Sequence, residues 1–378
     1  MDSSPEDSLM QTLTSSQLFS SHPLPEADPF TPLLSKYLPH QARPSRRNIQ
    51  AGPDDTTATL IAGRRWQALA NRMADQITSR RGVRDATLED IEAVLSDWCI
   101  RLQCLRRLQH LRLLASEAHA LFTSLPPSYT IPASSVAGTP FFEPFMPFDL
   151  ILLQAVIPIY LRGDHYLVLQ HLQEISYGCK LEYRRTQDAI WITRLRSTAV
   201  AIVNVLYSIG ELQQALDLLG SLAKHEDSPE RLADLCMLAL EMGDVGAADT
   251  ILERLRSSKG ASQSTETLQI ARLLCDGQWA KAEEGARAKV QSDSTDVTAK
   301  VNLATCYLYT EKTQEGIEIL EVLARTEPDR FYSSETNISN LISLQELQAG
   351  DQIANKLDLL KECSRYASES LSLDCLRL

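Results

Sequence analysis

The sequence predicts an all-α protein, a solenoid of stacked helical hairpins with a disordered N-terminal tail. Three observations carry that expectation. Leucine fills 57 of 378 positions while aromatics make up 6% and glycine only 15 residues, which favours helix over sheet. From about residue 149 the chain matches itself at a nearly constant spacing. The first 58 residues, by contrast, hold 8 of the 17 prolines and no sustained period.

Residues 1–58 read as a Ser/Pro-rich tail that cannot bury enough surface to fold, with short motifs such as Pro23-Leu24-Pro25. Within it, Phe30 to Leu38 (FTPLLSKYL) is apolar enough to order on a partner, although a sticky piece of linker is the plainer account. An N-terminal helical block follows over 59–125. Its helical periods run Leu60–Ser79, Leu88–Leu108 and His110–Phe122, with Thr87 and Asp90 spaced to cap the second. Pro126-Pro127 ends the block, and 126–147 reads as a proline-rich loop.

Residues 148–378 carry the repeat. Gly210, Gly243, Gly277 and Glu311 lie 33, 34 and 34 residues apart, and each stands five residues before a small side chain: Ala215, Ala248, Ala282 and Gly316. A glycine elbow between antiparallel helices, with a slim residue early in the second helix, lets the two approach without clash or cavity. Leu206, Leu219, Leu232, Leu235, Leu252, Leu303 and Leu320 would fill the remaining space. Pro328 comes twelve residues after Gly316, where a helix should stop. This is the 34-residue tetratricopeptide (TPR) register. A more divergent unit lies upstream, with Gly163 at its turn, Val168 in the small slot and a second helix lengthened through Tyr177–Arg185. A last hairpin, Glu335–Gln348 and Gln352–Cys363 joined at Gly350, would cap the array.

Catalytic chemistry finds no support in the sequence. It contains neither G-x-G-x-x-G nor G-x-x-x-x-G-K-[ST], no H-E-x-x-H and no G-x-S-x-G, so no enzyme activity, cofactor or metal is expected. His225-Glu226-Asp227 reads as solvated charge at a helix end, and carboxylates generally should populate outer faces. Eight cysteines without a Cys-x-x-Cys pair fit a reducing compartment and read as buried helix positions. With no basic n-region and no apolar run near 20 residues, the chain should be soluble and intracellular, without a transmembrane segment.

The formal net charge of -12 argues against nucleic acid as a partner. Basic side chains concentrate in 61–125, all of them arginine, and Arg64, Arg65, Arg106 and Arg107 are candidates to meet an acidic partner or a lipid surface. Seven interspersed acids make a solvated helical face the plainer reading. A carboxylate clamp of the kind that grips peptide C-termini needs converging donors on consecutive first helices. The matching positions read Ser197, Val200, Ala201 and Asn204, then Glu230, Ala233, Asp234 and Met237, then Ser264, Thr267, Leu268 and Ala271, with Asn302 further on, so the clamp is absent.

Several stretches resemble the subunit-12 family of the TRAPP (trafficking protein particle) membrane-tethering complexes. They are Trp98-Cys99-Ile100-Arg101-Leu102, Met146-Pro147-Phe148 leading into LILLQAVIPIYLRGD, Val301-Asn302-Leu303-Ala304-Thr305-Cys306 leading to Glu327-Pro328, and the closing Asp374-Cys375-Leu376-Arg377-Leu378. The likeness runs in order over about residues 60–378, while the tail is shorter than in larger members and the turn glycine is lost at Glu311. It implies a non-catalytic scaffold subunit of a complex that tethers vesicles and exchanges nucleotide on a Rab GTPase, in ER-to-Golgi traffic and autophagy. It further implies contact with the large eleventh subunit and a cytoplasmic location, peripheral on Golgi membranes. The alternative is a stand-alone TPR adaptor that binds a linear peptide.

Overall fold

The computed structural model describes residues 18, 21, 23–24, 30–44, 52, 55–80, 87–125, 146–226, 228–257, 262–348, 352–367, 369 and 371–378. Among them there is helix and no strand. The chain divides into two compact units: residues 1–27 with 49–211, and residues 28–48 with 212–378.

The first unit is a non-repeating helical core. It contains α2 (Thr57–Ala62), α3 (Trp66–Ser79), α4 (Leu88–Arg107), α5 (Leu111–Ser124), α6 (Phe148–Arg162), α7 (His165–Thr186) and α8 (Ile190–Ser208); α1 (Phe30–Tyr37) belongs to the other unit. Thr87 and Asp90 form a reciprocal capping box at the head of α4, satisfying two of its free amides. The expected single helix Leu60–Ser79 is two helices. Gly63 and Arg64 turn the chain between them, with Arg64 left-handed at φ 51° and the Arg65 amide returning to the Leu60 carbonyl.

Helix α6 is apolar on most of its surface, and Leu150, Ile151, Leu153, Ala155 and Ile157 are buried in one cluster with Leu69, Met73, Trp98 and Leu172. Gly163 ends it left-handed at φ 68°, and Asp164 caps α7 by accepting from the Leu167 amide at 3.0 Å. The 22 residues of α7 take in the stretch expected to lengthen this unit, and Val168 is fully buried.

The second unit is the hairpin array. Its helices are α1 (Phe30–Tyr37), α9 (Leu212–Lys224), α10 (Pro229–Glu241), α11 (Val245–Ser257), α12 (Ser262–Cys275), α13 (Trp279–Ser292), α14 (Val297–Tyr309), α15 (Thr313–Thr326), the short α16 (Pro328–Phe331), α17 (Glu335–Glu346) and α18 (Gln352–Tyr366). Helices pair as hairpins α10/α11, α12/α13 and α14/α15, and first helices pack on first helices along the row α10, α12, α14, α17. That is solenoid stacking, each hairpin burying an apolar face that it could not bury alone. Pro328 occupies the first turn of α16, where its missing N–H costs nothing.

The expected tail departs from disorder at its described residues. In the first unit Leu18 and Leu24 are buried, the Trp98 indole donates to the Leu18 carbonyl at 2.7 Å, and Asn71 accepts from the Leu24 amide at 2.6 Å. In the second unit Phe30–Tyr37 is a helix, with Phe30, Leu34 and Leu38 buried among Leu359, Leu360 and Cys363. The fragment singled out as a docking motif therefore orders on its own chain. Most of the loop expected at 126–147 and the elbow expected at Gly350 lie outside the described residues.

Candidate interaction surface

The turns of the array set where its edges lie. Gly243 and Gly277 have φ of 79° and 70°, and Glu311 takes the same left-handed conformation at 61°; Gly210, expected as the first elbow of the array, is left-handed at 84° but belongs to the first unit. An L side chain is disfavoured there, so Glu311 carries strain that glycine avoids. Five residues on, Ala215, Ala248 and Ala282 are fully buried. The Cys236 sulfur lies 3.8 Å from the Ala248 carbonyl, a direct measure of how closely α10 and α11 approach. At Gly316 an added Cβ would stand 3.2 Å from the Ala304 carbonyl and 3.3 Å from Leu344, so the slot admits no side chain without movement.

Polar groups lock successive hairpins along this edge. Glu283 on α13 is only 8% exposed and accepts two hydrogen bonds from the Lys312 ammonium, at 2.6 and 2.9 Å, with others from Thr310 and Arg287. These donors, the Lys312 bonds foremost, hold its carboxyl below the ordinary carboxylate range against the opposing cost of burial. The Arg272 guanidinium grips Asp249 through two bonds of 2.9 Å. Trp279 and Tyr309 stack at 3.9 Å with rings 9° apart. Carboxylates at Glu182, Glu226 and Glu283 are therefore buried and partnered, which corrects the expectation of solvated charge at Glu226 and makes these three exceptions to outward-facing acids.

The positions expected to line a groove divide by exposure. Glu230, Asp234, Met237, Ser197 and Asn204 are exposed, and Val200, Ala201, Ala233, Thr267, Ala271 and Asn302 are half-buried. Leu268 is buried. The side chain of Ser264 lies outside the described residues.

The second unit also carries a pocket of about 350 Å³ whose walls include Val290, Leu303, Ile319, Val322 and Leu323. Glu315, Glu318 and Lys300 line it too, with both glutamates exposed. No periodicity in the sequence marks it, since its walls combine the α14/α15 hairpin with α13 of the hairpin before it.

The arginine candidates occupy less uniform settings. Arg64 sits exposed in the α2–α3 turn and Arg65 pairs with Asp55, so neither is on a helix face as expected. Arg106 and Arg107 are exposed in the last turn of α4, and the Arg107 guanidinium lies 4.5 Å over the Trp66 ring. The arginine that sequence reasoning left without a role is Arg101. It is fully buried, donates twice to Glu117 at 2.7 and 2.6 Å and once to the Ala70 carbonyl at 2.8 Å, and ties α4 to α5 and α3. Its only signal in the sequence is a charge within an otherwise apolar stretch.

Seven cysteines are buried and Cys275 is exposed. Burial pushes the thiols of Cys99, Cys236, Cys306 and Cys375 up to about 11 and that of Cys179 to about 12, so they stay protonated and unreactive near neutrality. Among the described residues, no helix is long and apolar enough to cross a membrane.

Comparison with known proteins gives one consistent likeness. No family model matches the chain. It is 24% identical over 205 residues to trafficking protein particle complex subunit 12 of Mus musculus, covering 52% of this chain and 26% of that protein. To trafficking protein particle complex subunit 12 of Homo sapiens it is 24% identical over 261 residues, covering 62% of this chain and 35% of that protein. The match thus spans about a third or less of those relatives, at the level of a distant relationship to subunit 12 of that complex.

Proposed function

We propose that this chain is a non-catalytic scaffold subunit of a TRAPP-type complex that tethers vesicles and exchanges nucleotide on a Rab GTPase. The observation that carries this reading is the likeness to trafficking protein particle complex subunit 12 in two mammals over more than half the chain. An all-α architecture of stacked hairpins supports it, since extended surfaces of this kind recruit partners through buried apolar anchors and need no reaction. Exchange would come from other subunits, the large eleventh subunit would be the immediate neighbour, and the setting would be ER-to-Golgi traffic and autophagy, on the cytoplasmic side of Golgi membranes. Tagged full-length chain should co-purify with several TRAPP subunits after mild lysis, identified by mass spectrometry. Recovery of the chain alone would overturn the reading.

A second reading, a TPR adaptor for a linear peptide, is favoured by the pocket that Val290, Leu303 and Ile319 line together with exposed Glu315 and Glu318, while its one lysine, Lys300, is engaged by Glu327 at 4.0 Å; such a lining suits a segment combining an apolar anchor with a basic residue. A monomer that binds one short basic peptide and recovers no TRAPP subunit would select it.

A further inference from the structure

The fragment Phe30–Leu38 presents apolar residues at i, i+4 and i+8, one helical stripe, and the structure shows what that stripe meets. Phe30 is fully buried and Leu34 and Leu38 are 5% and 6% exposed, in one cluster with Leu359, Leu360 and Cys363 of α18. The opposite side of α1, with Thr31, Pro32, Ser35 and Lys36, is exposed. Its C-terminal end is closed locally: Arg43 donates to the Leu38 carbonyl at 3.0 Å and to the Ser35 carbonyl at 3.4 Å, beyond a short turn over His40–Ala42. Residues 30–43 are thus a self-capped helical module laid on a receptor.

An eight-residue helix does not hold itself in water, so α1 exists because the α18 face orders it. Three anchors must offset the ordering of the whole segment, so attachment in cis supplies an effective concentration that a free helix has to exceed to replace it. We propose that this face of α18 is a docking groove for an amphipathic helix with an aromatic residue at i and leucines at i+4 and i+8. Helix α1 is its resident occupant, a strap that a partner helix of the same pattern displaces. The proposal is independent of the tethering role.

The test uses full-length chain and a fluorescent synthetic peptide of residues 28–44. Wild-type chain, its groove filled in cis, should bind the peptide at least tenfold more weakly than the triple variant Phe30→Ala, Leu34→Ala, Leu38→Ala, and a peptide with those three alanines should bind neither chain. Because the variant can lose stability, hydrogen exchange is read on wild-type chain as well: excess peptide should raise exchange across residues 30–38 several-fold while α17 keeps its protection. Equal peptide affinity of the two chains, or unchanged exchange at 30–38, would overturn the proposal. So would a concentration-dependent dimer that the triple substitution abolishes, since that would give the groove to a second copy.

Discussion

The two units solve the same problem, hiding leucine-rich faces, in opposite ways. In the second unit α9 to α15 are all 13 or 14 residues long, and their hairpins repeat the same elbow and the same slim contact. Charge is dispersed there, with Glu283, Lys289 and Arg272 each joining neighbouring helices. In the first unit helices range from 6 to 22 residues, and the core is centred on apolar α6 and a single fully buried guanidinium. A repeat array shares its load among similar joints. The irregular core concentrates it in a few unique ones.

The sharpest way to break that contrast is at Arg101. Glu117→Ala leaves a buried cation without its carboxylate and should cost about 3–5 kcal/mol, read as the urea midpoint of the full chain with protection lost across α3, α4 and α5. The paired change Arg101→Met with Glu117→Leu should recover most of that loss. If the single variant melts like wild type, the first unit does not depend on this joint.

In the array the effects should be smaller and local. Ala248→Leu forces a larger side chain between α10 and α11 and should cost roughly 1–3 kcal/mol, with exchange rising in those two helices. Unchanged stability would mean the hairpins are looser than the 3.8 Å approach indicates. Glu311→Gly should stabilise by about 1 kcal/mol by releasing a left-handed non-glycine residue, whereas Gly277→Ala should destabilise by a similar amount. Equal shifts of the same sign would refute the strain assigned to Glu311.

The smallest effect is electrostatic. The Glu283 carboxyl is held below its ordinary 4.5, so its stabilisation is present above that value and fades as pH falls through its lower folded value. Lys312 is partly exposed and water screens the pair, so the slope should be shallow. Glu283→Gln should flatten the acid limb of stability against pH, and an unaltered limb would place the sensitivity elsewhere.

The helical hairpins were legible because their physics is local and recurrent: a left-handed turn favours glycine, and close helices favour alanine five positions later. Glu311 shows that the spacing carries the signal even where the residue type does not. The Arg101–Glu117 joint was illegible, since nothing in a helical period says which charge turns inward to meet another 16 residues away. The tail misled for a different reason. Composition averaged over 58 residues hides a few anchors, and Leu18, Leu24, Phe30, Leu34 and Leu38 are held by surfaces made from distant sequence. The pocket at Val290, Leu303 and Ile319 needs one hairpin and the helix stacked beside it, and so belongs to no single segment.

The contact between α1 and α18 also bears on how the molecule is made. During translation Phe30 leaves the ribosome while Leu359 and Leu360 are still unwritten, so its anchors travel uncovered through the synthesis of nearly all the chain between. The nascent segment is thereby a natural client for chaperones, and its concealment marks the moment at which the last hairpin has been completed.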